Sequence, residues 1–445
     1  MNLNLLPHEL IIDNFAGGGG TSTGLEWGFG RPVDIAINHD PKALAMHRAN
    51  HPDTEHHCES VWDVNPLEVT KGAPVGLVWL SPDCKHFSKA KGGKPVEKKI
   101  RGLAWVGIRW ADLTRPRVIM LENVEEFKTW GRSGEDGKPC PKHKGETFKS
   151  FVNALRHQGY EVQWRVLRAC DYGSPTSRRR FFLIARRDRL PIQWPKPTHG
   201  DPNTLAVKSG KLKPWRTAAE CIDWTIPSPS IFDRKRPLVT ATCKRIANGM
   251  VKHILDNPSP FVMDIDSQQI APVLTECANA SSPRCMPFNE PLRTICATTK
   301  GGHHALITAF LSEYQPGVKQ ENSHFKTKQV NAFLTAFYGN EKDGQSLQTP
   351  LRTIATKDRF GLVTVSNTEK QIVDIGFRML KPVELYKAQG FPSTYIFSYG
   401  IDENGQTIKL TQNDQTRMCG NSVPPQMSEA LVLANFSHEK IYGAA

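Results

Sequence analysis

Features that define several other classes of protein are missing from this sequence. No stretch comes near the roughly 18 consecutive apolar residues that a membrane-spanning helix needs. The opening, MNLNLLPHEL, has neither a basic start nor a long apolar run, so no secretory signal is visible. The 10 cysteines lack the density and the regular spacing of a secreted disulfide scaffold. We therefore expect an intracellular protein whose cysteines are thiols.

A zinc-finger pattern is also missing. Cys140 and His143 have a C-x-x-H spacing, but no second pair of ligands follows at a finger-like distance. A polar surface loop is the favoured interpretation of this segment. The sequence therefore predicts no metal site.

The hydrophobic content and the charge of the sequence indicate a folded, basic protein. Hydrophobic residues make up 39% of the 445 residues, more than a disordered chain would have and enough for the cores of two or three domains. Lys and Arg outnumber Asp and Glu by 57 to 44, a net charge of +13. This balance favours a polyanionic partner, although many basic proteins share it.

Short β-rich runs alternate with helix-length segments over the first 190 residues or so. The predicted strands are 10–13, 33–38, 76–81, 117–124, 161–169 and 179–187. Apolar spacing predicts helices over 41–50 and 148–157. Such alternation is typical of the α/β class, so we predict a Rossmann-like, mostly parallel sheet with flanking helices.

The remainder of the chain is richer in Pro, Thr and Ser. A weak repeat runs through it at 236–242, 290–298 and 350–356, which we interpret as duplicated β-rich units of a second, smaller domain. Helical patterns return at 382–389 and 426–435. The predicted boundaries are 1–194, 195–372 and 373–445.

A glycine-rich turn follows the first predicted strand. Residues 13–20 read DNFAGGGG and precede a predicted helix over 21–29. Such a turn lets backbone approach a ligand and presents amides at the start of a helix. The G-x-G-x-x-G spacing of dinucleotide folds and the lysine of a P-loop are both missing, so a plain tight turn is the alternative.

Two further strand ends carry reactive side chains. Cys84 follows the run at 76–81 and opens a basic segment, whose cations would lower the pKa of a thiol. Glu122 lies near the end of the run at 117–124, where partial desolvation suits a carboxyl group to donating a proton. A structural cysteine, a solvated basic loop and a salt-bridged glutamate are the respective alternatives.

The order of these motifs resembles that of a known family. A glycine loop, the Cys84 motif, Glu-Asn-Val at 122–124, Arg-x-Arg at 178–180 and Gly-Asn-Ser-Val-Pro-Pro at 420–425 follow one another as in the cytosine-C5 DNA methyltransferases of bacteria and phages. The resemblance covers roughly residues 9–190 and 376–436. The segment between them corresponds to the variable target-recognition region of that family.

The resemblance implies roles for individual residues. Cys84 would add to C6 of cytosine, and Glu122 would hydrogen-bond or protonate N3 and the exocyclic amine. Arg178 would hold O2 with the support of Arg180. The residues implied for binding S-adenosylmethionine are Asp13, Phe15, Ala16, Gly17, Gly19, Gly20, Asn38, His39, Ser60, Asn421, Ser422 and Val423. The residues implied for binding DNA are Lys85, Ser88, Lys89, Lys91 and Lys94.

The same resemblance implies the working of the whole chain. Residues 1–194 would bind the donor and catalyse, 195–372 would read the target in double-stranded DNA, and 373–445 would pack back on the catalytic domain. The target cytosine would be flipped out of the duplex, and S-adenosylhomocysteine would be the second product. We expect a cytoplasmic monomer of a bacterium or a phage-infected host, without a membrane partner. A separate partner nuclease, as in restriction-modification, stays open.

Several positions depart from the family pattern. Asp83-Cys84-Lys85 replaces the usual Pro-Cys-Gln, and Thr176 replaces a glutamine before the arginines. Asn38 stands where an acidic residue normally holds the donor ribose, with Asp40 as a candidate substitute, and the acidic group near adenine aligns with Glu59 or Ser60. Since these changes spare the catalytic residues, we predict an active enzyme.

Two other functions compete with this one. A transfer-RNA cytosine-C5 methyltransferase would keep the chemistry and change the polymer, but the recognition region of roughly 180 residues is large for such an enzyme. A catalytically inactive DNA-binding homologue would retain the fold alone. Cys84 and Glu122 argue against it.

Overall fold

The computed structural model of the chain describes residues 8–82, 102–132, 140–277, 284–297, 303–313, 327–330, 333–334, 362–365 and 368–437. They divide into two compact units. The first comprises residues 1–216 with 386–445, and the second comprises 217–385. The boundaries predicted from sequence fell at 194/195 and 372/373.

Strands and helices are numbered in chain order over the described residues. The strands are β1 Leu10–Asn14, β2 Ile35–Ile37, β3 Glu55–His57, β4 Val75–Leu80, β5 Val118–Asn123, β6 Glu161–Arg168, β7 Arg179–Arg186, β8 His199–Gly200, β9 Lys213–Pro214, β10 Met263–Ile265, β11 Gln268–Cys277, β12 Arg284–Met286, β13 His303–Glu313, β14 Leu362–Val365, β15 Thr368–Met379, β16 Tyr399–Ile401 and β17 Thr407–Lys409. The α-helices are α1 Gly20–Phe29, α2 Pro41–Asn50, α3 Pro66–Val69, α4 Val106–Leu113, α5 Glu146–His157, α6 Leu205–Lys208, α7 Thr240–Met250, α8 Pro382–Gln389, α9 Gln412–Asn421 and α10 Pro425–Phe436.

A seven-stranded sheet organises the first unit, in the order β3-β2-β1-β4-β5-β7-β6. The strands from β3 to β5 pair in parallel, whereas β7 pairs antiparallel with both β5 and β6. Every residue of β4 and β5 is buried, as continuous apolar runs covered on both faces require. The predicted α/β class with a mostly parallel sheet is confirmed, as are the six strands placed from sequence in this region.

Strand β3 is not predicted from the sequence. Its residues, Glu55, His56 and His57, are polar, so apolar periodicity does not mark them. The strand exists because it pairs in parallel with β2 at the sheet edge, where Ile35 lies opposite Glu55. Pairing with a neighbour overrides a weak local preference here.

Helices cover both faces of this sheet. On one face, Phe148, Phe151, Val152 and Leu155 of α5 are buried, as their predicted spacing requires. On the other face, α1 and α10 pack closely: the rings of Phe29 and Phe436 lie 5.0 Å apart at an edge-to-face angle. The C-terminal helix therefore completes the layer that the first helix begins.

An antiparallel sheet organises the second unit, in the order β10-β11-β13-β15-β14, with β12 paired to β11. Helix α7 covers it with the apolar side chains of Cys243, Ile246 and Met250. A buried ion pair ties the end of β15 to α8, with Arg378 Nη2 2.7 Å from Glu384 Oε1. This unit is the smaller, β-rich one that the composition predicts.

The prediction that the repeat marks duplicated β units is wrong for the copies that lie in the described residues. The first copy, 236–242, runs into helix α7, which begins at Thr240. The described part of the second, 290–297, has no regular strand of its own, and the third, 350–356, lies outside the described residues. In the two copies that are described, recurrence of Pro-Leu and Thr therefore reflects similar composition rather than similar structure. Strand β15 runs through the predicted boundary at 372/373.

Candidate active site

The carboxyl ends of three adjacent strands define one edge of the first unit. β1 lies between β2 and β4, and β4 pairs with β5, so the turn after Asn14, the segment after Leu80 and the end of β5 are neighbours. Backbone links them further, since the amide of Ser81 donates to the carbonyl of Asn14 at 3.2 Å. Ligands of open α/β sheets bind at this edge.

Glu122 lies at the end of β5 and is 7% exposed. Its Oε1 is 3.1 Å from Nε of Arg180, and Arg178 is buried nearby on the segment leading into β7. Burial raises the pKa of Glu122, while the positive charges of Arg180 and Arg178 act in the opposite direction. A carboxyl group with a raised pKa holds its proton closer to neutral pH, as a proton donor must.

Asn123 ties the end of β5 to the segment that follows β4. Its Nδ2 donates to the carbonyl of Pro82 at 3.1 Å, and its Oδ1 accepts from the amide of Val124 at 2.9 Å. Pro82 stands two residues before Cys84. This amide therefore fixes the chain at the point where the predicted nucleophile's segment leaves the sheet.

The predicted nucleophile and the predicted DNA-binding residues lie outside the described residues. They are Cys84, Lys85, Ser88, Lys89, Lys91 and Lys94. Their roles stay predictions.

The glycine-rich turn takes backbone conformations that favour glycine. Gly17 and Gly19 have φ angles of 57° and 97°, and Phe15 also has a positive φ of 63°. The amide of Ala16 donates to the carbonyl of Ile37, which anchors the turn to the neighbouring strand. The sequence DNFAGGGG thus forms a compact turn that enters α1 at Gly20.

Packing against the rest of the first unit restricts three of the four glycines. A Cβ at Gly18 would lie 2.8 Å from Sδ of Met46, and one at Gly20 would lie 2.5 Å from the carbonyl oxygen of Val423. A Cβ at Gly19 would meet the hydroxyl of Tyr395 at 2.6 Å. At Gly17 the nearest atom is 3.8 Å away, so this glycine borders the open side of the turn.

The motif at 420–425 packs against this turn, since Ser422 and Val423 lie next to Gly20. Ser422 and Val423 are buried, and Asn421 is exposed at the end of α9. Gln389 holds the segment by donating to the carbonyl oxygen of Ser422 at 2.9 Å. The structure therefore brings the predicted residues of the two chain ends together.

The residues predicted to hold the donor ribose lie at the end of β2. Oδ1 of Asn38 accepts from the amide of Asp40 at 2.9 Å, and Asp40 caps α2 and pairs with Arg417. Because the carboxylate of Asp40 is already engaged, it is a poor substitute for the missing acidic group. His39 is exposed, and Ser60 accepts from the amides of Asp63 and Val64 through its carbonyl.

Two buried polar side chains under the turn have unused hydrogen-bonding atoms within the described part of the chain. Oδ1 of Asp13 and both side-chain polar atoms of Asn14 have no partner there. Buried polar atoms without partners are rare and require an explanation. A ligand with amino, hydroxyl and carboxylate groups, such as an amino-acid-nucleoside conjugate, suits this mixed set of donors and acceptors.

Sequence reasoning missed the residues that hold the turn from behind. The hydroxyl of Tyr395 donates to the carbonyl of Gly18, and Oγ of Ser22 bonds to Asp13. His47 of α2 and His51, which follows that helix, are buried beside them. The signal available in the sequence was the four-residue spacing of His47 and His51 in and after a predicted helix.

No three His, Cys, Asp or Glu side chains of the described residues are placed to hold a metal ion. Among those residues there is also no helix with the length and apolarity to cross a bilayer.

The fold and the site together define an α/β methyltransferase. Residues 10–436 match the family described as C-5 cytosine-specific DNA methylase. The chain belongs to this family, whose members are DNA cytosine-5 methyltransferases, and the resemblance noted in the sequence is confirmed.

Curated relatives are type II methyltransferases. M.AquIA of Picosynechococcus sp. is 29% identical over 225 residues, which cover 49% of this chain and 88% of the relative. M.XorII of Xanthomonas oryzae pv. oryzae is 32% identical over 201 residues, which cover 43% of this chain and 44% of the relative. For M1.HphI of Haemophilus parahaemolyticus the identity is 30%, over 45% of this chain and 51% of the relative. The chain thus matches about half the length of two of these relatives.

Solved structures share the fold at low sequence identity. A triple mutant of DNMT2 from Spodoptera frugiperda is 14% identical and has a TM-score of 0.50, covering 96% of this chain and 99% of that one. Dnmt2 of S. pombe is 13% identical with a TM-score of 0.50, covering 97% and 99%. These likenesses concern the fold alone.

Proposed function

We propose that this protein transfers a methyl group from S-adenosylmethionine to C5 of a cytosine in a specific double-stranded DNA sequence. The observation that carries the proposal is the meeting, at one sheet edge, of the buried Glu122–Arg180 pair and the anchored segment that leads to Cys84. The glycine-rich turn lies at the same edge. Membership of the cytosine-C5 family supports it independently.

C5 of cytosine is a poor nucleophile, and the chain's own residues would activate it. The thiolate of Cys84 adds to C6, while Glu122 delivers its proton to N3, so that electron density reaches C5. Arg178 holds O2 of the base, and Arg180 holds Glu122. Loss of the C5 proton and departure of Cys84 then restore the aromatic ring. When bound, the donor supplies a methyl group made electrophilic by its sulfonium.

The donor fits the turn between Phe15 and Gly20. The open side of Gly17 and the unused polar atoms of Asp13 and Asn14 provide contacts for it, and Asn421 to Val423 would cover it. The remaining members of the proposed donor site are Ala16, Gly19, Asn38, His39 and Ser60. The role of each is a proposal that rests on its position at this edge.

The DNA would be engaged by parts of the chain beyond this edge. A cytosine inside a duplex must be flipped out before Cys84 can reach C6, at a cost of a few kcal/mol. Lys85, Ser88, Lys89, Lys91 and Lys94 would contact the DNA during this step. The second unit, 217–385, would read flanking bases. Restriction-modification, with a separate nuclease, is the proposed setting.

Transfer of labelled methyl from S-adenosylmethionine tests the proposal. Unmethylated duplex DNA and transfer RNA are offered in parallel to the wild type, to Cys84→Ala and to Cys140→Ala as the matched cysteine control. We expect label on DNA cytosine with the wild type and with Cys140→Ala, and none with Cys84→Ala.

Label on transfer RNA alone would replace the DNA assignment by an RNA one. Binding of DNA without any label would identify an inactive homologue. Mapping the labelled positions gives the target sequence.

A further inference from the structure

A chain of buried hydrogen bonds runs from the glycine-rich turn to the edge of the sheet. Oγ of Ser22 lies 2.8 Å from Oδ2 of Asp13 and 2.9 Å from Nε2 of His47. Nδ1 of His47 lies 2.8 Å from Nε2 of His56. Asp13, Ser22 and His47 are each 0% exposed, whereas His56 is half-buried. We call these four residues the relay.

Two arrangements of protons satisfy the relay when any proton of Asp13 lies on Oδ2, because a serine has one hydroxyl proton and a neutral histidine has one N–H. With Asp13 ionised, His56 donates to His47, His47 donates to Ser22, and Ser22 donates to Asp13. With Asp13 protonated, every bond reverses: Asp13 donates to Ser22, Ser22 to His47, and His47 to Nε2 of His56. The second arrangement holds one more proton than the first. This proton enters at Nδ1 of His56, and the shift of the other protons along the relay leaves Asp13 protonated.

The surroundings keep the two histidines neutral and leave Asp13 about half protonated near neutral pH. Burial lowers the pKa of His47 well below its usual range and brings that of His56 to about 4. Burial raises the pKa of Asp13 to about 7, and the hydrogen bond from Ser22 opposes this shift. The ionisation state of Asp13 therefore decides which of the two proton arrangements the relay adopts.

Other ionisable groups face the relay and are accounted for. From α1, Glu26 lies 2.9 Å from Nδ1 of His51, with which it forms a pair. His51, which follows α2, lies obliquely against His47 with ring centroids 4.4 Å apart. Arg48 of α2 adds a positive charge near His47 and His56. Tyr395 approaches from the C-terminal part of the first unit, and burial raises its pKa far above neutral.

Asp13 is also the relay residue that lies next to the proposed donor site along the chain. It precedes Asn14 and the glycine-rich turn, and its Oδ1 has no hydrogen-bond partner in the described structure. S-adenosylmethionine carries a sulfonium and an ammonium group, and the product has lost the sulfonium charge. A buried carboxylate interacts with a positive charge far more strongly than an exposed one does.

We propose that Ser22, His47 and His56 are positioning residues that control the charge of Asp13, and that ionised Asp13 makes the site prefer the charged methyl donor over its neutral-sulfur product. This inference rests on the proposed function. The relay takes up a proton from solvent at Nδ1 of His56, each bond passes one proton inward, and the last proton forms the O–H of Asp13. Nothing is oxidised or reduced in this exchange.

Calorimetric titration of the full chain with S-adenosylmethionine and with S-adenosylhomocysteine, from about pH 5.5 to 8.5, tests the proposal. We expect the ratio of the product Kd to the donor Kd to rise with pH through about 7, by up to tenfold per pH unit below the midpoint, since one proton is linked to binding. Asp13→Asn should make the ratio independent of pH.

Three further variants separate the relay from simple packing. Ser22→Ala removes the hydrogen bond that stabilises the carboxylate, so the midpoint should move to higher pH. His56→Gln should also move the midpoint, whereas His57→Gln, which changes a neighbouring histidine paired with Glu55, should leave it in place. A midpoint that is the same in Ser22→Ala and the wild type overturns the proposal.

The outcomes also distinguish this inference from the function on which it rests. Donor binding with a pH-independent ratio in the wild type rejects the relay and leaves methyl transfer standing. Failure of the wild type to bind either compound at any pH rejects the proposed donor site itself.

Discussion

Two opposing effects set the pKa of Glu122. Burial raises it by favouring the protonated carboxyl group, and Arg180 lowers it by favouring the carboxylate. The carboxyl group can donate only while protonated, and its protonated fraction falls as pH rises through its pKa. The ion pair with Arg180 stabilises the carboxylate and so limits how far burial raises that pKa. Arg180 therefore helps to set the pH at which the proposed proton donor is lost.

Replacing Arg180 by leucine tests this balance. Without the guanidinium the pKa of Glu122 rises further, so the falling limb of the single-turnover methylation rate should move to higher pH. Arg179→Leu is the control, because Arg179 is 61% exposed and pairs with Glu125 instead. A limb that stays in place in Arg180→Leu, or moves to lower pH, would contradict the assignment.

Single residues were predictable where position along a strand carried the signal. The end of an apolar run indicates Glu122, and the structure places this residue at the carboxyl edge of the sheet. No such pattern indicates the role of His47, because its partners Ser22 and His56 come from other elements and only the fold brings them together. Asp40 is a candidate ribose ligand by sequence, but the structure uses its side chain locally to cap α2 and in a pair with Arg417. That pair depends on α9, which lies more than 370 residues away, so no local pattern reports it.

Helix α1 has three glycines, of which Gly24 and Gly28 lie beyond its first turn and should respond differently to substitution. Alanine is the better helix former by about 1 kcal/mol, so propensity alone predicts stabilisation at both. A Cβ at Gly24 would lie 2.0 Å from the carbonyl oxygen of Pro425, whereas one at Gly28 would lie 3.0 Å from Cγ1 of Val432. The first contact involves backbone that cannot yield without moving α10.

We expect Gly24→Ala to lower the free energy of unfolding by about 1–3 kcal/mol, as overpacking does. Gly28→Ala should cost less, because a valine methyl can shift and the gain in propensity offsets part of the contact. Urea unfolding of both variants and the wild type measures the difference. Equal or greater stability of Gly24→Ala would show that α1 and α10 pack less closely than the structure has them.

At the scale of elements, local patterns were sufficient when they were strong. The helices over 41–50 and 382–389 begin and end where the sequence predicts. The repeat misled because Pro-Leu followed by threonines is compatible with a strand and with a helix start alike. At 236–242 the buried face of α7 decides the outcome, and that face is defined only by the sheet beneath it.

The net charge of +13 belongs to the whole molecule, and so does its consequence. If the chain binds duplex DNA through its phosphates, the logarithm of affinity should fall linearly with the logarithm of salt concentration, by tenfold or more between about 50 and 200 mM. Fluorescence anisotropy with a labelled duplex measures this. Donor affinity over the same range is the control and should change little, and a flat DNA response would contradict phosphate-led binding.

The division of the chain into units was predictable in outline but not in its limits. A change in composition near residue 190 marks the start of the second region, yet the first unit continues to residue 216. Trp215 explains part of the difference, since its Nε1 donates to Asp171 at 2.9 Å and its ring contacts the guanidinium of Arg168 at 4.3 Å. These contacts join residues more than 40 positions apart, which no local pattern reports.

The pairing of α1 with α10 has a consequence for how the protein is made. The first unit cannot complete the layer over Leu25 and Phe29 until Phe436 has been synthesised, some 220 residues after the first segment of that unit ends. At about 5–20 residues per second this is a wait of about 10–45 s on the ribosome. During that interval an apolar face is open to other chains and to chaperones, so the speed of translation through the second unit affects how much of the protein reaches its native state.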